Sequence, residues 1–400
     1  MTLTFSQTVA ASPTAVFYAM TNAAALREWL CDHSQTDVRE NGRFYLHWNQ
    51  GYHASGEFQN LVPNQSFALR WQGREEPHAS NVRVELTPVD HGTEVVLTHD
   101  GLGSDDAWTQ TISELKDGWE SGLANLKSVL ETGLDKRFYD RPFLGILINN
   151  VVSPAEIAQL GLPVEGGVRI SGTAPNTGAA NIDLQPDDIV TNLAGINLTT
   201  FSAIGEALRP YRAGEKVKVI YYRGDEQLTD LLKLSRRPVP SVPETAVSLS
   251  QAVRAVYDAL DAELDELLAG VTDAEASFSR HDAEWNVKEY LAHLIGIERE
   301  TQIAFVLQMS DESIGGFPNN PPAWVKSITA VYPTLSALVT LWKQTESETV
   351  ALIANLPDSL VARKATYMNI GNTLLVGLPN HTRGHFDDMR QLIAAARDQS

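Results

Sequence analysis

Apolar and polar residues change their spacing several times along the chain, and each change predicts a different kind of element. Residues 3–9, LTFSQTV, alternate apolar and polar, the period of a half-buried strand. ASPTAVFYAMTN at 11–22 predicts a short helix with Ser12 as its cap and Pro13 in the first helical position. Strand-like runs follow, GRFYLHW, SGEFQNL, SFALRWQ, NVRVELTPV and GTEVVLTH, divided by glycine, proline and asparagine turns. From 105 to 131 the apolar spacing widens to three or four. Trp108, Ile112, Leu115, Trp119, Leu123, Leu126 and Leu130 form the stripe of one long helix that must lie on the sheet. The order of strand, helix, antiparallel sheet and closing helix predicts an α+β helix-grip fold over residues 1–135.

Short runs and turns return over residues 138–237. DLQPDDIV sets proline and two aspartates before a strand, and LAGINL reads as a hairpin with Gly195 at its tip. FSAIGEALRPY reads as a helix bounded by Thr200 and Pro210, and KVKVIYYR with DLLKLS as paired strands. The pattern predicts a mainly-β module. RRPVPSVP at 236–243 favours an extended chain, so residues 238–246 read as a proline-rich linker.

From 247 to 400 the spacing is helical throughout. Leu249, Val253, Val256, Leu260, Leu264 and Leu267 make a first stripe, and Trp285, Val287, Tyr290, Leu291, Leu294 and Ile297 a second. Leu335, Leu338, Leu341, Val350, Leu352 and Ile353 make a third, and His385, Met389, Leu392 and Ile393 a fourth. Four stripes predict an all-α four-helix bundle. The sequence SDESIGGFPNNPPAWVK at 310–326 predicts a long crossover between the second and third helices.

Composition agrees with several modules. Four hundred residues at about 150 per domain predict two or three. A hydrophobic share of 43% with 20% charged residues supports several cores and excludes wholesale disorder. Thirty-one basic residues against 50 acidic ones give a net charge of -19, which disfavours nucleic acid and anionic membrane surfaces as partners. That charge is uneven: -10 over residues 1–135, +1 over 136–240 and -10 over 241–400. The lone cysteine, Cys31, excludes an intramolecular disulfide, a CxxC pair and a thiolate zinc cluster. With no signal-peptide pattern at the N-terminus and no apolar run of about 18 residues, the expected location is cytoplasmic.

Candidate chemistry concentrates in the last module. His381 and His385 are four apart, so on a helix both imidazoles project from one face, and His293 lies midway along the second amphipathic stripe. Three imidazoles around a divalent ion would leave coordination positions open for a thiol, water or substrate. Pro379, two residues before His381, must either begin the last helix or kink it. Asp387 and Asp388 read as a solvated acidic face, either of them able to orient a liganding imidazole. Glu298 and Glu300, five and seven residues after His293, are not assigned to the ion, and no general base is readable. His281 is expected at the surface.

The sequences around these residues resemble known families. SPTAVFYAMTNAAALREWL, the strand runs and AWTQTISELKDGWESGLANLKSVLE resemble the START-like (SRPBCC) superfamily, in the branch related to activators of the heat-shock chaperone ATPase. This resemblance implies an apolar cavity between sheet and long helix that Trp29, Trp48, Trp71 and Trp119 could line, open to a small apolar ligand. Residues 138–237 resemble a bacterial-type PDZ domain. The resemblance implies a carboxylate loop at Phe143, Leu144, Gly145 and Ile146, with Arg141 adding positive charge, and a groove walled by the helix carrying Ile204 and Leu208. A protein C-terminal peptide is the implied partner.

WNVKEYLAHLIGIERE and NHTRGHFDDMRQL resemble the DinB-like four-helix bundles, a superfamily that includes metal-dependent thiol transferases. It implies His293, His381 and His385 as ligands of zinc or nickel. Two functions follow from the three resemblances together. One is a metal-dependent thiol (S-)transferase acting on small electrophiles. The other is a non-enzymatic ligand- and peptide-binding adaptor in the stress response. A homodimer is compatible with both.

Overall fold

The computed structural model describes residues 1–281, 284–312 and 322–399. Strand β1 (Leu3–Val9) leads into α1 (Pro13–Thr21) and α2 (Ala23–Trp29). Ser12 caps α1 by accepting from the Ala15 N–H, with Pro13 just inside the helix. Asn22 caps α2 by accepting from the Ala24 and Ala25 N–H groups. Strands β2 (His33–Thr36), β3 (Arg43–His47), β4 (His53–Val62), β5 (Ser66–Gly73), β6 (Ser80–Val89) and β7 (Gly92–Asp100) complete an antiparallel sheet in the order β1-β7-β6-β5-β4-β3-β2. Helix α3 (Asp106–Thr132) closes this part, burying Trp108, Leu115, Trp119, Leu123 and Leu126. Each such side chain contributes about 1.5–3 kcal/mol on full burial. Residues 1–133 thus form the α+β helix-grip arrangement that the spacing of apolar positions predicts.

After the short helix α4 (Lys136–Tyr139), a second sheet is built from β8 (Ile146–Val152), β9 (Gly167–Thr173), β10 (Ile189–Leu193), β11 (Ile196–Asn197), β12 (Lys216–Arg223) and β13 (Glu226–Lys233). Its order is β13-β12-β10-β9-β8, with β11 paired to β10. Helix α5 (Pro154–Leu160) follows β8, α6 (Gly178–Asn181) follows β9, and α7 (Phe201–Leu208) lies between β11 and β12. The β10–β11 turn holds Ala194 and Gly195 at φ 52° and 89°. A two-residue hairpin turn with both central residues at positive φ matches the right-handed twist of its strands. Thr200 caps α7.

The C-terminal part is helical: α8 (Ala246–Leu267), α9 (Asp273–Ala276), α10 (Val287–Met309), α11 (Pro322–Val331), α12 (Leu335–Ala354), α13 (Asp358–Val361), α14 (Lys364–Asn372) and α15 (Leu378–Asp398). The four predicted stripes fall on α8, on α10 with the preceding Trp285, on α12 and on α15, and their apolar residues other than Ile297 share one core. Asn286 starts α10 through a reciprocal capping box with Glu289, which fixes where His293 falls along the helix. A single π-helical turn, Thr373–Gly377, joins α14 to α15. Pro379 follows directly on that π turn within one continuous helical run, so the ladder is irregular where the proline N–H is missing. Of the predicted crossover, residues 313–321 lie outside the described residues, and Pro322 already begins α11.

The chain packs as two compact units, residues 1–133 with 240–400, and residues 134–239. Within the first unit, Arg363, preceding α14, donates to Glu28 of α2 and, at 3.0 Å, to Asp311. Asp311 also accepts from the Tyr18 hydroxyl and from Asn22, and Lys364 donates to the Glu131 carbonyl at 2.7 Å. At the end of α3, Gly133 adopts φ 76°, and a Cβ there would stand 2.9 Å from the Lys364 carbonyl oxygen. The end of the proline-rich stretch is held: Tyr367 donates to the Pro243 carbonyl at 2.9 Å, and Val242 packs on Gly371.

Candidate metal centre

Helices α10 and α15 bring His293, His381 and His385 together. One ring nitrogen from each lies within 4.8 Å of the others. His293 Nε2 and His381 Nε2 are 3.1 Å apart, and the rings of His381 and His385 stand edge to face with centroids 4.6 Å apart. The i, i+4 spacing places the latter two on one face of α15, as the sequence predicts. His293 is 4% exposed, whereas His381 is exposed and His385 half-buried, so the cluster runs from the bundle interior to solvent. Burial, with His385 and His381 beside it, pushes His293 down to about 3, which keeps its imidazole neutral and its lone pair available.

Donor chemistry and spacing fit a divalent ion. Ligand nitrogens at about 2.0–2.1 Å from a tetrahedral zinc are separated by roughly 3.3 Å, close to the His293–His381 separation. Neutral imidazoles suit zinc and nickel alike.

Asp388 accepts from or pairs with His385 at Nδ1, with Oδ2 at 3.1 Å. The Asp388 side chain stays 46% exposed, so the expected solvated acidic face is present there alongside this contact. It also holds at Asp387, which is exposed and pairs with Arg390. A carboxylate at Nδ1 fixes the tautomer that leaves Nε2 free as a donor to an ion. Two aromatic neighbours complete the surroundings. The Trp285 ring lies 5.1 Å from that of His293, and the Tyr290 ring 5.1 Å from that of His385. The helical spacing read both as core stripe residues. Tyr290, three residues before His293, shares its face, and this was the available signal.

Glu298 faces elsewhere, accepting from Tyr257 at 2.7 Å and from Thr349. His281 is exposed.

In the N-terminal part, Trp29, Trp71 and Trp119 border an apolar cavity of about 30 Å³ between sheet and long helix. Trp48 is outside that lining; its indole donates to the Leu30 carbonyl and its ring packs on Tyr52. Each of the other indoles is also tied down, Trp29 to the Ala19 carbonyl, Trp71 to Glu76 and Trp119 to His99.

In the middle unit, Phe143 forms a bridge with Ser235, while Leu144, Ile146 and Leu208 are core residues and Ile204 packs beside them. Leu147 and Ile148 on β8 and Phe201 on α7 are among the apolar side chains left exposed. Leu208 is thus core rather than an open groove wall, because α7 turns its Ala203, Ala207 and Leu208 face to the sheet. Gly145 sits at φ 89°, and a Cβ there would stand 2.1 Å from Thr177 Oγ1.

Residues 10–131 match the family profile described as activator of Hsp90 ATPase homolog 1-like protein, and residues 257–393 match the DinB superfamily. No curated protein matches the chain. Among solved structures, a Mesorhizobium loti protein is 21% identical, covering 33% of this chain and 97% of that one, with a TM-score of 0.30. The Aha1 dimer from Colwellia psychrerythraea is 20% identical over 33% and 96%, with a TM-score of 0.30. An HSP90 activator from Plasmodium falciparum is 24% identical over 32% and 96%, with a TM-score of 0.29. Among the described residues no helix is long and apolar enough to cross a membrane.

Proposed function

We propose that the bundle is a divalent-metal centre of the thiol-transferase type, with His293, His381 and His385 as its zinc or nickel ligands. The observation that carries this reading is the convergence of three ring nitrogens from α10 and α15 within 4.8 Å. A bound ion supplies a Lewis acid that lowers the pKa of a small thiol or water. The protein's own residues do the rest. Burial keeps His293 neutral, Asp388 orients His385, and the rings of Trp285 and Tyr290 restrict rotation of the imidazoles they face. The exposed side of His381 admits the small electrophile. A cytoplasmic, reducing location accords with the single cysteine.

The middle unit is proposed as a PDZ module that binds a protein C-terminus. Strand β8 is an edge strand, paired only with β9, so its other edge is open to an added peptide strand. Among the described residues, no backbone carbonyl accepts from the N–H groups of Leu144 and Gly145. Two adjacent free N–H groups beside a residue at positive φ form a nest suited to a carboxylate.

A second reading, a ligand- and peptide-binding adaptor in the stress response, is favoured by one observation. Glu298, the nearest buried carboxylate along α10, is engaged by Tyr257 and Thr349 and offers no base to the histidines. The two readings separate on an assay of thiol consumption with a small electrophile by the metal-loaded full chain. The transferase reading expects turnover abolished in His293→Ala and His385→Ala. Stoichiometric metal without turnover across a panel of low-molecular-weight thiols favours the adaptor.

A further inference from the structure

A second group of titratable side chains lies where α12 packs on α8 and α10. Glu346, on α12, is fully buried, and neither of its carboxyl oxygens has a hydrogen-bond partner among the described residues. Asp261, on α8, faces it, and Asp261 Oδ1 is buried and equally unpartnered. The two carboxyls stand within hydrogen-bonding range of each other. Ionised carboxylates only accept, so this contact becomes a hydrogen bond when one of the two carries a proton.

The surroundings offer no positive charge instead. Glu298, on α10, adds a third carboxyl, already engaged by Tyr257 and Thr349. Of the neighbouring cations, Arg254 is turned to Asp258 and Ser347, and Lys343 to Asp265. Among the described residues no cation comes within ion-pair distance of Glu346. Burial first, then Asp261 and Glu298, push the Glu346 carboxyl up to about 10. Burial raises the half-buried Asp261 as well. Tyr257, raised by burial and by both glutamates, stays a neutral donor. The proton therefore sits on Glu346, the more buried member of the pair, and Asp261 accepts from it.

We infer that one proton shared between Glu346 and Asp261 latches α12 to α8, and that its loss opens this seam of the bundle as pH rises. Parting the two helices exposes Glu346 to water, where an ordinary glutamate ionises near 4.5. Below that pH the proton is held in both forms and the latch is at full strength. Between 4.5 and about 10 the open form has released a proton that the closed form keeps. Each unit of pH in that window therefore favours opening by about tenfold. A glutamine at this position donates to Asp261 with no proton to lose. The latch is independent of what the three histidines bind.

The test is hydrogen–deuterium exchange of the full chain between pH 7 and 9, read by mass spectrometry on peptides from α8 and α12 and corrected for the intrinsic exchange rate at each pH. Wild-type protection in these peptides should fall about tenfold per pH unit, while Glu346→Gln holds it within about twofold across the range. The infrared carbonyl band of protonated carboxylic acids should be present in the wild type at pH 7 and weaker by one carboxyl in Glu346→Gln. Should Glu346→Gln fail to fold, Asp261→Asn takes its place. Having lost the charged acceptor, it should begin below wild-type protection at pH 7 and fall less steeply. Protection that declines equally with pH in wild type and variant overturns the inference, because the residue then has only a structural role. An infrared band unchanged by Glu346→Gln also overturns it, because Glu346 is then ionised in the folded chain.

Discussion

His293 Nε2 and His381 Nε2 lie 3.1 Å apart although 88 residues of chain separate them. Two neutral imidazole nitrogens at that distance are compatible only if one donates to the other or both point at a shared cation. His385 joins them from the next turn of α15, and its Nδ1 is committed to Asp388, which turns Nε2 toward the cluster. The arrangement suits the ligand set proposed above, with Asp388 supporting His385.

Asp388 provides the first test. Asp388→Asn keeps the side chain's size and removes the charge that orients His385. Metal affinity, measured by chelator competition, should fall about 10- to 100-fold while the thermal melt of the metal-free protein is unchanged. Asp387→Asn, which alters only an exposed pair with Arg390, should leave affinity at the wild-type value.

Arg363 is the hub between α2 and the bundle. It is 13% exposed and faces Glu28 and Asp311, themselves 16% and 38% exposed. Arg363→Ala leaves two carboxylates partly buried without their cation and should cost about 3–5 kcal/mol. Urea denaturation checks this. A loss below about 1 kcal/mol would place the pair among ordinary surface bridges.

His99 makes stability depend on pH. It is fully buried between Ser80, 2.7 Å from Nε2, and Trp119, whose indole N–H donates to Nδ1 at 3.1 Å. With Nδ1 accepting, Nε2 carries the proton. Burial lowers the pKa to about 4 from an ordinary 6.5. Above pH 6.5 the group is neutral in folded and unfolded chains alike. As pH falls from 6.5 toward 4 the unfolded chain alone takes up a proton, so stability is lost, by about 2–3 kcal/mol at pH 4.5. His99→Gln should flatten the wild-type slope between pH 7.5 and 4.5 by that amount, measured by chemical denaturation.

Much of this architecture is legible from periodicity, and the exceptions share a cause. The stripes on α8, α10, α12 and α15 depend on local spacing, and so does the His381–His385 pair. Glu346 on α12 is fully buried, although both its chain neighbours, Thr345 and Ser347, are polar. Its charged and polar neighbours include Tyr257, Asp261 and Glu298 on other helices. Arg363 and Glu28 are 335 residues apart, and nothing in the sequence near either one names the other. The size of the cavity among Trp29, Trp71 and Trp119, about 30 Å³, depends on how Phe44, Phe58 and Phe67 from three different strands pack around it, a matter of packing rather than pattern.

The most direct measurement is elemental analysis of the full chain, purified without a histidine tag and loaded in turn with zinc and nickel, beside His293→Ala and His385→Ala. The account predicts one equivalent of divalent metal retained through gel filtration by the wild type, and less than a tenth of that in either variant. A folded wild type that retains no metal, or variants that retain as much as the wild type, would contradict it.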